Sequence, residues 1–435
     1  MNSDMSDPSD PSDPSDSVAS CALPRLWNRD FLLLWQGQLV SALGDTVYAI
    51  ALGFWILAKT GSTALMGTLM AVSTLPRIVA APFAGVLVDR SERKWLLVLM
   101  DIIRGVVVVA VGVAAFTGFI QIWMVFVAGI IIGLGGALFN PGVSSAVPDI
   151  VPKDKLVQAN SAYSLIYTGS GIVGNSAGGF LYQLLGAPLM FLVNGISYLV
   201  SAVTLLFIRI PPVVSQRERQ HFMADLKDGM ALVWKFAGLR LLFLTASVLN
   251  FFAVIGITLL LPLFQKTEGL GPGRYGIAMA VLTGGMFAGF LLTSIVRIVP
   301  GARFRAFMLG GFVMSLGLAV FALTDVFPLM LGLVLVAGVA NAVVNSLIPA
   351  TVQMAVPQDM RGKVFSLLGA ISGGLTPIAM ALAGVLAEVI PLRPLISGSF
   401  VLTFLCFVPL LFSPALRKFL NFDPERETIE SLAGQ

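Results

Sequence analysis

Long apolar runs recur along this chain from Phe31 to Phe412, and they restrict its folding more than any other feature. A hydrocarbon core about 30 Å thick is crossed by a helix of about 20 mostly apolar residues. Inside it every backbone amide and carbonyl needs an internal partner, which leaves helices or a closed barrel. Segments of sufficient length fall at 31–57, 64–88, 95–118, 123–147, 158–185, 188–208, 241–264, 275–296, 306–324, 328–350, 364–389 and 395–412. They predict an all-α integral membrane protein with about twelve transmembrane helices. With 57% hydrophobic and 11% charged residues, little chain is left for a soluble domain.

The residues before Phe31 are acidic and Pro-rich, with Ser6-Asp7-Pro8, Ser9-Asp10-Pro11 and Ser12-Asp13-Pro14 repeating one triplet. A cleavable signal would instead be basic and then apolar. Such a tail has nothing to bury, so disorder is expected over 1–24. The longest internal polar stretch, Arg209 to Arg240, separates the first half of the spans from the second. Bundles are therefore expected over 25–209 and 240–413, with a linker over 210–239 and a tail over 414–435. Within the linker, Phe222 to Phe236 has the pattern of an amphipathic helix, lying on the membrane or docked on the protein.

Most of the 27 Lys and Arg residues fall on one side of this layout, and only Lys59, Lys266, Arg274 and Arg393 fall on the other. Short basic loops stay cytoplasmic, so both termini are expected inside, in the inner (plasma) membrane. The net charge of +4 is thus a matter of topology and gives no reason to expect nucleic acid.

Slid against itself at one constant offset, without gaps, the chain aligns Gly133 with Gly338, Ala137 with Ala342 and Asn140 with Asn345. The same frame pairs Val151-Pro152 with Val356-Pro357, Asp154 with Asp359, Ser161 with Ser366, Gly169 with Gly374, and Gly179 with Gly384. Two copies of one orientation are implied, as in parallel repeats about an axis normal to the membrane.

Between spans 2 and 3 the chain reads Gly85-Val-Leu-Val-Asp89-Arg90-Ser-Glu-Arg93-Lys94. Gly85 permits close helix approach, Asp89 suits helix-terminal amides or a basic partner, and Arg93 with Lys94 anchor the cytoplasmic side. The segment resembles the loop 2–3 motif of the major facilitator superfamily, Gly-x-x-x-Asp-Arg-x-x-Arg-Arg/Lys. The resemblance implies two pseudo-symmetric six-helix bundles, transport by alternating access, a monomer, and a cytoplasmic gating role for the loop. Asp101, Arg104, Asp149 and Arg361 join that gating set. The second-half copy has Thr293 where the Asp would fall, so an asymmetric latch is expected.

Ser170-x-x-x-Gly174-Asn175-x-x-Gly178-Gly179 is similar to the exporters' Gly-x-x-x-Gly-Pro-x-x-Gly-Gly motif, with Ser and Asn as departures. Tight helix packing explains these glycines as well. Val147-Pro-Asp149-Ile-Val-Pro152 with Asn160-Ser161, and Arg361-Gly362-Lys363-Val364-Phe365, resemble the bacterial branch that includes macrolide-efflux-type and enterobactin-exporter-type permeases.

Ionised groups in the bilayer centre cost about 2.5–3.5 kcal/mol on insertion scales, so they should face a cavity or a partner. Asp45 lies about 21 Å into span 1 and Arg77 about 18 Å from the cytoplasmic end of span 2, at about 1.5 Å per residue. They are expected to interact, as a protonation switch or as a fixed pair. Asp101 and Arg104 are expected to form a local ion pair at i, i+3, nearer the cytoplasm. Gln36, Tyr48, Asn140, Tyr163, Tyr167, Asn250, Asn341, Asn345 and Gln353 are candidates for lining a central cavity or for helix packing, and Glu388 reads as a solvated outer residue.

Enzymatic function has little support. The sole histidine, His221, falls in the linker, and no phosphate-binding loop occurs. Cys21 and Cys406 make no metal or disulfide framework, so no cofactor is expected. A two-Asp intramembrane protease would require Asp45 and Asp101 to meet, which their separate depths oppose. The favoured reading is a secondary transporter exporting an amphipathic small molecule, drug- or siderophore-like, against inward protons. Uptake and lysolipid transport are the alternatives.

Overall fold

The computed structural model describes residues 26–210, 230–231, 233–296, 298–356 and 360–423. The tails, most of the linker with Arg217, Arg219 and His221, and Pro357 with Asp359 lie outside the described residues. Among the described residues, eleven helices are long and apolar enough to cross a membrane. One of them, Leu156–Leu206, has 51 residues, about 76 Å at about 1.5 Å per residue and far more than a bilayer needs. It breaks at Gly186, whose φ of 71° and ψ of 166° lie outside the helical range, just before Pro188. Its arms, 156–185 and 187–206, are spans 5 and 6.

Spans 1 to 4 are Arg29–Thr60, Thr63–Arg90, Arg93–Phe116 and Ile122–Ile150. Span 7 is Ala237–Thr258 continued by Leu260–Lys266, and spans 8, 9 and 10 are Gly271–Ile295, Pro300–Leu323 and Phe327–Ala355. Span 11 is Arg361–Gly374 continued by Thr376–Val389, span 12 is Leu392–Leu411, and a short helix Pro414–Leu420 follows. Local chemistry sets several ends. Asn28 caps span 1 by accepting from the Phe31 amide, Gly61 ends it at φ 68°, and Ser62 caps span 2 one residue later.

The aligned glycines do matching work in the two halves. A Cβ on Gly133 would stand 2.6 Å from the Ser73 carbonyl, so span 4 lies against span 2; one on Gly338 would stand 2.3 Å from the Leu282 carbonyl, so span 10 lies against span 8. A Cβ on Gly179 would stand 2.2 Å from the Pro272 carbonyl, and one on Gly384 would stand 2.5 Å from that of Thr63. These seat span 5 on span 8 and span 11 on span 2, joining the halves.

The apolar core has a different arrangement at each end. Away from the basic loops, one continuous cluster takes in Phe54, Leu57 and Met66 from the first half and Phe264, Tyr275 and Ala383 from the second. At the end carrying Arg93, Lys94, Arg303 and Arg361 there are two clusters. One contains Phe31, Leu97 and Phe139, the other Phe307, Phe407 and Phe419. Val233 and Phe236, the described end of the expected amphipathic segment, belong to that second cluster and so dock on protein.

Candidate functional site

Between the shared core and the first half's own cluster lies a polar layer at the middle of spans 1, 3, 4, 5 and 6. Asp45 supplies its carboxylate. Tyr198 Oη donates to Asp45 Oδ1, and Asn194 Nδ2 donates to the same oxygen at 3.4 Å. Span 6 comes this close because residue 44 is glycine: a Cβ there would stand 2.4 Å from Asn194 Oδ1. The Tyr198 ring also covers the Arg104 guanidinium, 4.4 Å from Cζ to the ring centroid, and Phe139 covers it at the same distance. Arg104 in turn is paired with Asp101, and both are buried.

Ser201, also buried, sets its hydroxyl against the Asp101 carboxyl in this layer. A second polar chain runs beside it. Tyr167 Oη donates to Asn140 Oδ1 at 3.0 Å, the Tyr163 and Tyr167 hydroxyls lie 3.0 Å apart, and Tyr163 Oη donates to Gln38 Oε1 at 3.4 Å.

Several expectations are corrected. Among the described residues no salt bridge joins Asp45 to Arg77, which is exposed on span 2; Arg77 acts on the Asp45 carboxylate only electrostatically, and less than Arg104 does. Matching depth along two helix axes does not make their faces meet, and the polar side of span 1 turns toward span 6. Asp101 and Arg104 do pair, but with the Asp45 layer rather than the loop. The structure therefore links Asp45 and Asp101 through Tyr198 and Arg104, although sequence depth separates them; Arg104 neutralises Asp101, and no hydrogen bond joins the carboxyls among the described residues. Gln36 is exposed, and its neighbour Gln38 is the glutamine in the polar chain. Tyr48 is buried against Phe191, and its hydroxyl has no hydrogen-bond partner among the described residues.

In the second half the candidates mostly serve packing. Asn250 Nδ2 donates 2.6 Å to the Ser372 carbonyl and Ser247 Oγ 3.1 Å to that of Ile371, both beside the break in span 11. Asn345 Nδ2 donates 3.0 Å to Asn341 Oδ1, and Asn341 Nδ2 approaches Met314 Sδ at 3.1 Å. Gln353 is exposed. Glu388 is exposed at the outer end of span 11, as expected, and also accepts from Ser62, Thr63 and Ala64 of the other half.

At the basic end, Arg93 pairs with Asp149 and donates 2.9 Å to the Ser145 carbonyl, while Lys94 reaches the Leu206 carbonyl at 2.7 Å. Spans 3, 4 and 6 are thus tied within the first half. Arg361 Nε donates 3.0 Å to the Val356 carbonyl in its own half. Gly85 lies inside span 2, and the side chains of Asp89 and Arg90 lie outside the described residues. Cβ atoms on Gly174 and Gly178 would meet Thr46 and Ile50 of span 1 at 2.6 and 2.4 Å, so these glycines pack helices.

Sequence reasoning missed Asn194, Tyr198 and Ser201. Their signal was present: with Ser197 they recur at i, i+3, i+4 and i+7, a polar stripe on an otherwise apolar helix.

The family model of the Major Facilitator Superfamily matches residues 34–377. The chain belongs to that superfamily. As a facilitator it is a multi-pass membrane transporter. It is 25% identical over 392 residues to macrolide efflux protein A of Streptococcus pyogenes, covering 88% of this chain and 96% of that one. It is 26% identical over 399 residues to the multidrug efflux pump Tap of Mycolicibacterium fortuitum, covering 89% and 96%. Among solved structures, the facilitator fold matches a bacterial homologue of the human lysosomal transporter Spinster, inward-facing and unoccupied, with a TM-score of 0.63 and 16% identity over 90% and 96% of the two chains. It also matches an inward-facing bacterial homologue of the iron transporter ferroportin, with a TM-score of 0.65 and 16% identity over 88% and 98%.

Proposed function

We propose that this facilitator exports an amphipathic small molecule across a bacterial plasma membrane in exchange for protons, and that the structure is its inward-facing state. The relatives named as macrolide and multidrug efflux proteins support the direction and the substrate class. Basic residues at the end with separate cores support placing that end, and both termini, in the cytoplasm. The Gln38, Tyr163, Tyr167 and Asn140 chain supplies aromatic faces beside hydrogen-bonding groups, the chemistry an amphipathic substrate requires.

The coupling proposal rests on one observation: Asp45 is held by two neutral donors, with Arg104 and Arg77 acting on it only from a distance and no direct ion pair among the described residues. An ionised carboxylate there is costly unless a cation stays beside it, and binding a proton removes that cost. Inward-facing, Asp45 releases its proton to the cytoplasm and the site takes substrate; outward-facing, the exchange reverses.

The test uses proteoliposomes with an imposed pH gradient and a radiolabelled macrolide. Asp45→Asn is expected to lose gradient-driven accumulation while retaining substrate counterflow. Accumulation at the wild-type rate would remove Asp45 from coupling.

A further inference from the structure

Span 2 begins where span 11 ends. Ser62 Oγ, Thr63 Oγ1 and the Ala64 amide donate to one oxygen of Glu388 at 2.8, 3.0 and 2.9 Å. Glu388 comes from the second half and its three donors from the first. Immediately inside this contact the helices touch backbone to backbone: a Cβ on Gly67 would stand 2.4 Å from the Met380 carbonyl. One turn of Glu388's own helix further in, Gly384 meets the Thr63 carbonyl. Lys266, at the end of span 7, acts on the same carboxylate.

We infer that Glu388 is the outer latch of the transport cycle, a positioning residue that holds the end away from the basic loops shut. A carboxylate against the first amides of a helix interacts favourably with the helix dipole and completes the cap that Ser62 begins. Because cap and carboxylate belong to different halves, that stabilisation exists only while the halves meet here. Rocking to the opposite state pulls the exposed Glu388 off span 2 and leaves the three donors without it.

The arrangement also has a direction. Span 2 and span 11 run antiparallel, so the outer end of span 11 meets the outer start of span 2. Rigid halves rocking about a central axis cannot close both ends together, so Glu388 favours the state described here. This inference rests on alternating access between the two halves and is independent of the coupling ion.

Spin labels at Phe119→Cys and Val326→Cys, exposed in the outer loops of the two halves, report the opening in full-length protein carrying Cys21→Ser and Cys406→Ala. Glu388→Gln keeps the shape and removes the charge. It is expected to raise the long-distance population about fivefold relative to the closed one, the size of a lost charge at a helix N-terminus. Ser62→Ala with Thr63→Val removes the two side-chain donors from the other side, leaving the Ala64 amide, and is expected to act in the same direction, while Glu388→Asp restores part of the closed population. Unchanged distances in both the Gln variant and the Ser62/Thr63 variant would overturn the latch. No substrate or gradient enters this measurement, so its failure leaves proton-coupled export standing, and failure of the Asp45→Asn test leaves the latch standing.

Discussion

Tyr198 carries two interactions at once, and they separate under mutation. Its hydroxyl serves Asp45 and its ring serves Arg104. Tyr198→Phe keeps the ring and removes the donor. Hydrogen bonds to charged groups contribute about 1.5–3 kcal/mol, so this variant is expected to unfold at a lower temperature in detergent and to lose coupling more than substrate binding. Arg104→Met acts through burial instead. It leaves the Asp101 carboxylate enclosed without its cation, at a cost of about 3–5 kcal/mol, and Arg104→Met with Asp101→Leu is expected to recover most of that. A thermal unfolding series in which the double variant is no better than the single would show that the pair is not what matters. The Asp101–Arg104 pair was legible in the sequence because i, i+3 spacing on one helix places both groups on one face. Asp45 was legible as a residue needing a partner, but its partner was not, because depth says nothing about which way a helix is turned.

Among the elements, spans 5 and 11 carry the seams between halves. Gly178 and Gly179 are neighbours in sequence, yet they face different partners. A Cβ on Gly178 meets the flexible end of Ile50, within the first half; one on Gly179 meets the Pro272 carbonyl, in the second. A side chain can rotate away and a backbone carbonyl cannot. Gly179→Ala is therefore expected to lower efflux about tenfold and to raise thiol labelling at the outer face, with Gly178→Ala much closer to wild type. Equal effects in an efflux assay would contradict the assignment. Small residues at helical spacing were visible in the sequence as packing surface, but which small residue faces which neighbour was not. The constant offset that aligns the halves also sets Asp45 against Asn250. The first half bonds its residue to span 6, while the second bonds it across to span 11. Duplicated helices have thus kept their packing and diverged in their polar groups.

At the scale of the whole molecule, one end has a single core and the other has two. Buried, well-packed backbone exchanges its amide hydrogens slowly. Segments at the shared end, 48–57 and 376–384, are therefore expected to exchange more slowly by mass spectrometry than 158–170 and 360–372 at the divided end. A gradient that drives the outward-facing state should reverse the order. Uniform exchange at both ends would contradict an inward-facing resting state.

Hydropathy and the positive loops are one-dimensional properties, and a bilayer converts them directly into spans. For that reason the helical membrane fold was readable before any coordinates, and the superfamily through the resemblance of the Gly85 to Lys94 segment to its loop motif. The rotation of each helix about its axis, and the pairing of helices far apart in sequence, depend on side chains meeting in three dimensions. Only the tertiary structure gave Asp45 to Tyr198 rather than to Arg77, brought Glu388 to span 2, and closed one end of the molecule while leaving the other divided.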